Sequence, residues 1–548
     1  MSEDGMMLFM VRSIWLDLEI AEKKRKEAIK RYFDVEGEIT NREEAINYLL
    51  TALDRINNRQ LNTIQVKGTY STLMSLIAIL NWVMEYYLSE KKSRTALATE
   101  NIREADLLDT FMANRNIERS IIDACNIWIE NSTLHQIKLE EIDSIPKEAF
   151  NLNQDLLLDM YIYGFASQAL SLLRLSRDLD ENTFYGISIT PKLDMALNIL
   201  KKHPVVYYNP VIGGNQSNLL EDDKNKSADQ FVVSDGFEQE NHISFSVFLG
   251  VLKYVQTTIL ENNPNAIVVY KKEDLIEQIN VLEPPIDGKL LLACASINKN
   301  NLKGQLKDNE KTTWKIGTNK YRLEIRPFIE LEDGNVIISY AACTQSMQIW
   351  YSYCMNGGNC YSLVGRSDCL QNALEQRNRE LAGILLERIR TILRNNYKPT
   401  ADYINVDYMR IFGSQPIDYG DYDIIFYSQK EQELYLIESK YISDSLNVSG
   451  MINDYNKMFS KGGYYNHCRA RYDLVLNNPV DMKRFVGADP DESIRVHFLF
   501  VSSKPLEIEL QDKDGIVTFL SLNNLEGFIK GKLISEDGSR KIRPEVII

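Results

Sequence analysis

The sequence is poor in histidine and lacks the short motifs of several large enzyme classes. Its five histidines are scattered along the chain, and there is no GxxxxGK[ST] phosphate loop, no HExxH and no GxSxG elbow. We therefore expect no ATP hydrolysis by this chain on its own, and none of the chemistry that the other two motifs carry.

Positive charge is also in short supply. The 62 lysines and arginines are outnumbered by 77 aspartates and glutamates, which gives a net charge of −15. A protein that bound nucleic acid over its whole surface would more often be basic. The balance argues against broad nonspecific DNA binding, but it allows a local basic groove and suits a protein that acts with a partner.

Cysteine forms no regular framework. There are seven cysteines, and the first ten residues, MSEDGMMLFM, begin acidic and show no cleavage-site pattern, so we expect a reducing, cytoplasmic setting. Four of the cysteines crowd together, with gaps of ten, five and eight residues: Cys343, Cys354, Cys360 and Cys369. These gaps do not match the paired spacing of zinc ribbons, so separately buried thiols are expected, with a structural zinc site as the alternative.

One apolar stretch, Tyr70–Leu88, approaches the length of a transmembrane helix. It carries Ser71, Ser75, Asn81 and Glu85. These polar residues favour a buried core helix over a membrane span, so we expect no membrane contact.

The chain is long enough for several domains, with 548 residues of which 44% are hydrophobic and 25% charged. Helical periodicity dominates up to about residue 205, and strand-like composition follows a polar stretch. We predict a multidomain α plus α/β protein. Its regions are a helical scaffold or docking region (1–212), a linker (213–230), a small α/β domain (231–345), a cysteine-containing connector (346–370) and a C-terminal α/β domain (371–548).

The middle domain shows strand-like and helical segments in turn. A helix is predicted over His242–Leu260, and Asp333-Gly334-Asn335 between apolar runs predicts a hairpin turn. The predicted strands are Phe231–Ser234, Ala266–Tyr270, Leu290–Ile297 and Tyr321–Leu331.

The clearest chemical signal lies in GDYDIIFYSQKEQELYLIESKY, residues 420–441. It predicts two strands, Tyr422–Tyr427 and Leu434–Tyr441, joined by a polar turn. Because side chains alternate across a strand, Glu438 and Lys440 share a face. A carboxylate and an ammonium at the end of an apolar strand are costly unless they pair or bind something, and Asp423 can meet them from the neighbouring strand.

This arrangement resembles the PD-(D/E)XK nuclease superfamily, the restriction-endonuclease-like fold, over the last third of the chain. Asp423 corresponds to its aspartate and Glu438-Ser439-Lys440 to its Glu-x-Lys, although Tyr422 stands where the pattern has proline. The resemblance implies Mg²⁺, or Mn²⁺, held by Asp423, Glu438 and the carbonyl of Ser439, with Lys440 orienting water or stabilising the transition state. It also implies hydrolysis that leaves a 5′-phosphate and a 3′-hydroxyl.

A strongly helical stretch, Leu374–Arg394, precedes the hairpin. The superfamily commonly places a helix here with a glutamate facing the metal. Glu380 is the preferred candidate and Glu387 the alternate, while surface glutamates paired with nearby arginines remain an equal interpretation.

Cations after the Glu-x-Lys strand are candidates for phosphate contacts. They are Lys457, Arg469 and Arg471, the last two on a predicted helix that is followed by a strand over Arg495–Ser502. For each of them a plain surface charge is the simpler interpretation.

Two other functions fit the same residues. Phe412-Gly413-Ser414 followed by Asp421 and Asp423 resembles polymerase-β-like nucleotidyltransferases, with Glu438 as the third carboxylate, but the spacing is short and Lys440 would have no role. An inactive nuclease-like docking module is the other alternative.

We expect a metal-dependent endonuclease that acts on nucleic acid, DNA in preference to RNA. A nuclease domain behind a long helical region, with no motor of its own, suggests restriction or antiviral defence beside a protein partner such as an NTPase. The architecture alone, without a further motif, suggests this setting.

Overall fold

The computed structural model describes residues 18–33, 37–39, 41–99, 105–175, 184–189, 195–197, 230–263, 265–282, 286–303, 320–357, 368–442, 462–503, 516–532 and 546–548. Within these residues the protein is mixed α/β, with a helical N-terminal half followed by a four-stranded and a six-stranded sheet. The described residues fall into two compact units, one formed by those up to 197 together with 230–374, the other by 375–548.

Long helices dominate the N-terminal half, as the periodicity predicts. They are α1 (Leu18–Tyr32), α2 (Arg42–Lys67), α3 (Thr69–Thr99), α4 (Ala105–Leu134) and α5 (Gln154–Leu175). Helix α2 is capped by Asn41, whose side chain accepts a hydrogen bond from the Glu44 backbone N–H at 3.0 Å. A small antiparallel sheet that the periodicity did not predict is formed by β1 (Gly37–Ile39), β2 (Phe184–Ile189) and β3 (Met195–Leu197).

The apolar stretch Tyr70–Leu88 lies within α3. Tyr70, Leu73 and Ile77 are buried in the main apolar cluster of the first unit, as expected for a core helix. No helix in the described part of the chain is long and apolar enough to cross a membrane.

The four-stranded sheet of the first unit has the order β4-β7-β6-β5. Its strands are β4 (Ile267–Lys271), β5 (Ser296–Asn298), β6 (Phe328–Glu330) and β7 (Asn335–Ser339). The helices around it are α6 (Val232–Asn241), α7 (Phe245–Asn262), α8 (Lys272–Asn280), α9 (Gly288–Ala295), α10 (Lys299–Leu302) and α11 (Tyr340–Met355). The hairpin predicted at Asp333–Asn335 is confirmed, with Gly334 at φ 77° between β6 and β7.

Two of the predicted middle strands are wrong. Phe231–Ser234 lies at the start of α6, and most of Leu290–Ile297 lies in α9, whose N-cap Asp287 accepts from two backbone N–H groups. Short apolar runs do not separate a strand from a buried helical turn. Tyr321–Leu331 holds only the three-residue strand β6, because residues before it form a turn in which Arg326 N–H donates to the carbonyl of Arg322.

The crowded cysteines do not form a described metal site. Cys343 and Cys354 are buried on α11, Cys369 is exposed, and Cys360 lies outside the described residues. Among the side chains that the structure describes, no group of three or more His, Cys, Asp or Glu could hold a metal ion. The predicted linker lies outside the described residues except for Gln230.

The second unit is built on the six-stranded sheet, with the order β12-β11-β10-β9-β8 and β13 paired to β11. Its strands are β8 (Ala401–Asp407), β9 (Asp421–Ser428), β10 (Glu433–Lys440), β11 (Arg495–Ser502), β12 (Val517–Ser521) and β13 (Val546–Ile547). Its helices are α12 (Asp368–Asn396, which begins in the first unit), α13 (Met409–Phe412), α14 (Tyr464–Asn477), α15 (Pro479–Val486) and α16 (Leu522–Ile529). The predicted β9–β10 hairpin, the helix before it, helix α14 and strand β11 are confirmed.

The two faces of this sheet carry different apolar layers. Leu434 and Leu436 of β10 pack with Cys468, Tyr472 and Val475 of α14. On the other face α12 packs its stripe Leu385, Ile389 and Leu393 against Ile424, Phe426 and Ile437. The alternation of β10 therefore places Glu438 on the α14 face, beyond the last apolar residue of the strand.

Candidate functional site

The site lies at the open end of the β9–β10 hairpin, opposite the turn. The strands are antiparallel, and Ile437 pairs with Ile424 at the last registered position. The next residues, Asp423 and Glu438, therefore meet at the point where the strands begin to part. The hairpin alone brings the two carboxylates together, because Asp423 and Glu438 are the next residues beyond this pair on their two strands.

Asp423 is fixed by the main chain of the neighbouring strand. Its Oδ2 accepts hydrogen bonds from the backbone N–H of Ser439 at 2.6 Å and from the Ser439 hydroxyl at 3.1 Å. Burial and the nearby Glu438 raise the pKa of Asp423 above its usual value, although Lys440 and the Ser439 hydrogen bonds oppose the shift. Its ionised form is therefore disfavoured in the folded protein.

Glu438 is buried and has a cationic partner at each oxygen. The Lys440 ammonium lies 2.7 Å from Oε1, and the Arg471 guanidinium contacts Oε2. Burial alone would lower the pKa of Lys440, but the carboxylates of Glu438 and Asp423 outweigh burial and raise it. Lys440 is thus held as an ammonium, partly exposed, with Nζ 5.3 Å from the ring centroid of Tyr464.

Arg471 reaches this site from α14. Its Nη1 donates to the backbone carbonyl of Asp421, and its own carbonyl accepts a hydrogen bond of 2.9 Å from the Tyr422 hydroxyl. Although burial would lower the pKa of Arg471, Glu438 raises it overall. The side chain is buried and ties the helix to the start of β9 and the end of β10.

The sequence placed Arg471 among candidate phosphate contacts and missed this role. Cys468, Arg471, Tyr472 and Val475 follow helical spacing, and all four are buried. The position of Arg471 within the apolar stripe was the signal that could have marked it as a buried partner.

The other candidate cations lie elsewhere or outside the described residues. Arg469 forms an ion pair of 3.1 Å with Asp473 along the same helix. Lys457 lies outside the described part of the chain.

The structure pairs both helical glutamates with arginines of their own helix. Glu380 pairs with Arg377 at 3.1 Å and Glu387 pairs with Arg390 at 2.6 Å, each three residues along α12. Both glutamates are exposed, and α12 packs on the face of the sheet opposite α14. The local surface pairing that the sequence left open is therefore what the structure shows.

The nucleotidyltransferase alternative needs Asp421, Asp423 and Glu438 to act together as three carboxylates. Asp421 is exposed and lies across from Asp407 on β8, while Asp423 is half-buried against Ser439. Within described residues 414–420, which follow Phe412-Gly413, the chain forms no helix. The short helix that this family would place after its Gly-Ser is thus missing from that segment.

The donor atoms of the site suit a hard divalent cation. Asp423, Glu438 and the Ser439 carbonyl offer only oxygen, which Mg²⁺ and Mn²⁺ prefer. Within the described part of the chain, the hydrogen bonds to Asp423 all go to Oδ2, so Oδ1 has no donor. Two carboxylates are fewer than a fully protein-made cage would use, so water or substrate oxygen would complete the shell.

Comparisons with known proteins add no relative. No protein family matches the chain, and neither a curated protein nor a solved structure does so. The chemical interpretation therefore depends on the geometry of the site.

Proposed function

We propose that this chain is a metal-dependent nuclease, with a C-terminal unit of the restriction-endonuclease-like kind, that hydrolyses phosphodiester bonds. The observation that carries the proposal is the convergence of Asp423, Glu438 and Lys440 at the open end of one hairpin. Paired carboxylates next to a partly exposed ammonium are what phosphodiester hydrolysis needs: ligands for a hard cation and a fixed positive charge for the reacting phosphate.

Each residue has a distinct part in the proposed reaction. Asp423 and Glu438, with the carbonyl of Ser439, would hold Mg²⁺, or Mn²⁺ in its place. When bound, the ion supplies Lewis-acid activation of the water nucleophile and counter-charge for the phosphate. Lys440 would orient that water and stabilise charge on the phosphate, as a new P–O bond forms and the bond to the 3′ oxygen breaks.

The wider setting is part of the same proposal. We expect DNA in preference to RNA as substrate, a cytoplasmic location, and a protein partner such as an NTPase, because the chain has no phosphate-loop motif of its own. The long helical N-terminal region would serve docking or scaffolding in a restriction or antiviral system.

A cleavage assay tests the proposal. Plasmid, linear and single-stranded DNA and RNA would be incubated with the parent protein in Mg²⁺, Mn²⁺ or EDTA, with and without NTPs. The matched variants are Glu438→Gln and, as the control, Glu431→Gln, which changes an exposed glutamate at the turn of the same hairpin.

The expected result is cutting that needs metal, disappears in Glu438→Gln and persists in Glu431→Gln. Cutting that persists in EDTA or in Glu438→Gln would contradict the site. NTP consumption without cutting, dependent on Asp421 and Asp423, would favour the nucleotidyltransferase instead.

A further inference from the structure

The proposed metal site already contains a balanced set of charges. Asp423 and Glu438 contribute two carboxylates, while Lys440 and Arg471 contribute two cations that contact Glu438. A divalent cation added to this set would leave two unbalanced positive charges in a largely buried environment. Such an excess is costly wherever water screens poorly.

The two cations differ in how firmly they are held. The Lys440 side chain is 29% exposed, whereas that of Arg471 is 7% exposed. Arg471 is also tied to the Asp421 carbonyl and lies 5.7 Å from the Tyr422 ring centroid. Lys440 can therefore turn toward solvent when the site fills, but Arg471 stays beside Glu438, and its guanidinium does not lose its charge.

We propose that Arg471 is a positioning residue that keeps metal affinity low until nucleic acid binds. The inference rests on the proposed nuclease function. The fixed guanidinium repels a divalent cation held by Glu438, and the phosphodiester backbone supplies the negative charge that offsets this repulsion. Binding of metal and of nucleic acid is then coupled, and the coupling must act in both directions.

Titration with Mn²⁺, followed by calorimetry, measures this coupling. The parent protein would be compared with Arg471→Met, which removes the charge, and Arg471→Lys, which keeps it. The control is Arg484→Met, which changes an exposed arginine paired with Asp481 on α15. Each protein would be titrated alone and with a saturating phosphorothioate DNA duplex that resists cleavage.

Without DNA, Arg471→Met should bind Mn²⁺ roughly tenfold or more tightly than the parent, and DNA should then add little to its affinity. Arg471→Lys and Arg484→Met should behave as the parent. A merely structural role for Arg471 would weaken metal binding, so equal or weaker binding by Arg471→Met overturns the inference. So does Arg471→Lys behaving like Arg471→Met.

Thermal unfolding would first establish that Arg471→Met is folded. If it is not folded, the parent protein tests the coupling between metal binding and DNA binding. Its Mn²⁺ affinity must rise when DNA is present, and an unchanged affinity overturns the coupling. If the parent protein binds Mn²⁺ through Asp423 but with an affinity that DNA does not change, only this inference is refuted. Parent protein that binds no Mn²⁺ with or without DNA refutes the proposed function as well.

Discussion

Strand β10 has a buried glutamate at each end, and the two ends differ in what surrounds the carboxylate. Glu433 begins the strand and Glu438 lies near its end, on opposite faces of the sheet. Both have an arginine partner. Burial and ion pairing therefore do not by themselves distinguish a structural glutamate from a functional one.

Glu433 is surrounded by groups that stabilise its charge. Oε2 accepts from the Tyr435 hydroxyl at 2.8 Å and lies 3.7 Å from His497 Nε2, while Arg495 contacts Oε1 at 3.1 Å. Burial would raise the pKa of Glu433, but the His497 and Tyr435 side chains outweigh it and lower that pKa to about 2. The pairing is complete without any added ion.

Glu438 shares its end of the strand with a second carboxylate. The raised pKa of Asp423 records the crowding of negative charge there, after burial as the larger cause. Under the proposed function, the two carboxylates beside the partly exposed Lys440 would take up an added ion. A single carboxylate enclosed by donors indicates structural stabilisation.

The largest expected effect is loss of cleavage in Asp423→Asn. The amide can still accept the Ser439 hydrogen bonds but binds a cation poorly, so the rate should fall by more than about a thousandfold. Glu433→Gln, at the other end of β10, should cut within about twofold of the parent. Initial rates in Mg²⁺ would show the contrast, and equal losses in both variants would remove the distinction between the two ends.

Lys440→Met should have the next largest effect. Removing the ammonium should slow cleavage by roughly 10²- to 10³-fold, while Mn²⁺ binding persists because both carboxylates remain. Single-turnover rates and a Mn²⁺ titration would separate these quantities. A variant that loses metal binding along with the rate would mean that Lys440 only holds Glu438 in place.

Glu433→Gln should lower stability rather than activity. Weakening the contacts of Glu433 with Tyr435, His497 and Arg495 should cost about 2 kcal/mol of unfolding free energy at neutral pH. This is less than the cost of breaking a fully buried ion pair, because Arg495 is partly exposed. Since the folded pKa of Glu433 is depressed, its contribution is present above the ordinary value of 4.5 and is lost as the pH falls toward 2. Urea midpoints at several pH values would measure the difference, which should vanish in acid.

The smallest effect is a gain of stability in Asp423→Asn. The pKa of Asp423 is raised in the folded state, so its cost appears as the pH rises above the unfolded value and is complete above the folded one. At neutral pH the amide should therefore raise the unfolding free energy. A lower urea midpoint at pH 7 would show that the ionised carboxylate stabilises the fold.

Much of the site could be predicted because it is local in sequence. The period-two alternation of β9 and β10 and the short turn between them bring Asp423, Glu438 and Lys440 together without any long-range contact. The place of Arg471 in the apolar stripe of α14 indicates that it is buried, but its partner could not be predicted in the same way. It depends on how α14 packs on the sheet, which a single sequence does not specify.

The errors have equally physical causes. Phe231–Ser234 and Leu290–Ile297 are apolar enough for either a strand or a buried helical turn, and tertiary packing decides between them. The place of Glu380 in a helix before the hairpin favours it as a site residue, and the structure shows its carboxylate paired with Arg377. The sequence predicts the helix but leaves both interpretations of this glutamate open.

The most direct test of the account is the position of a bound metal. Crystals of the parent protein soaked in Mn²⁺ should show an anomalous difference peak between Asp423 Oδ1 and the Glu438 carboxylate, and none beside Glu433. The Asp423→Asn protein should show no peak at either end. A peak at the Glu433 end, or a parent site that stays empty even with bound DNA, would contradict the assignment of the metal site.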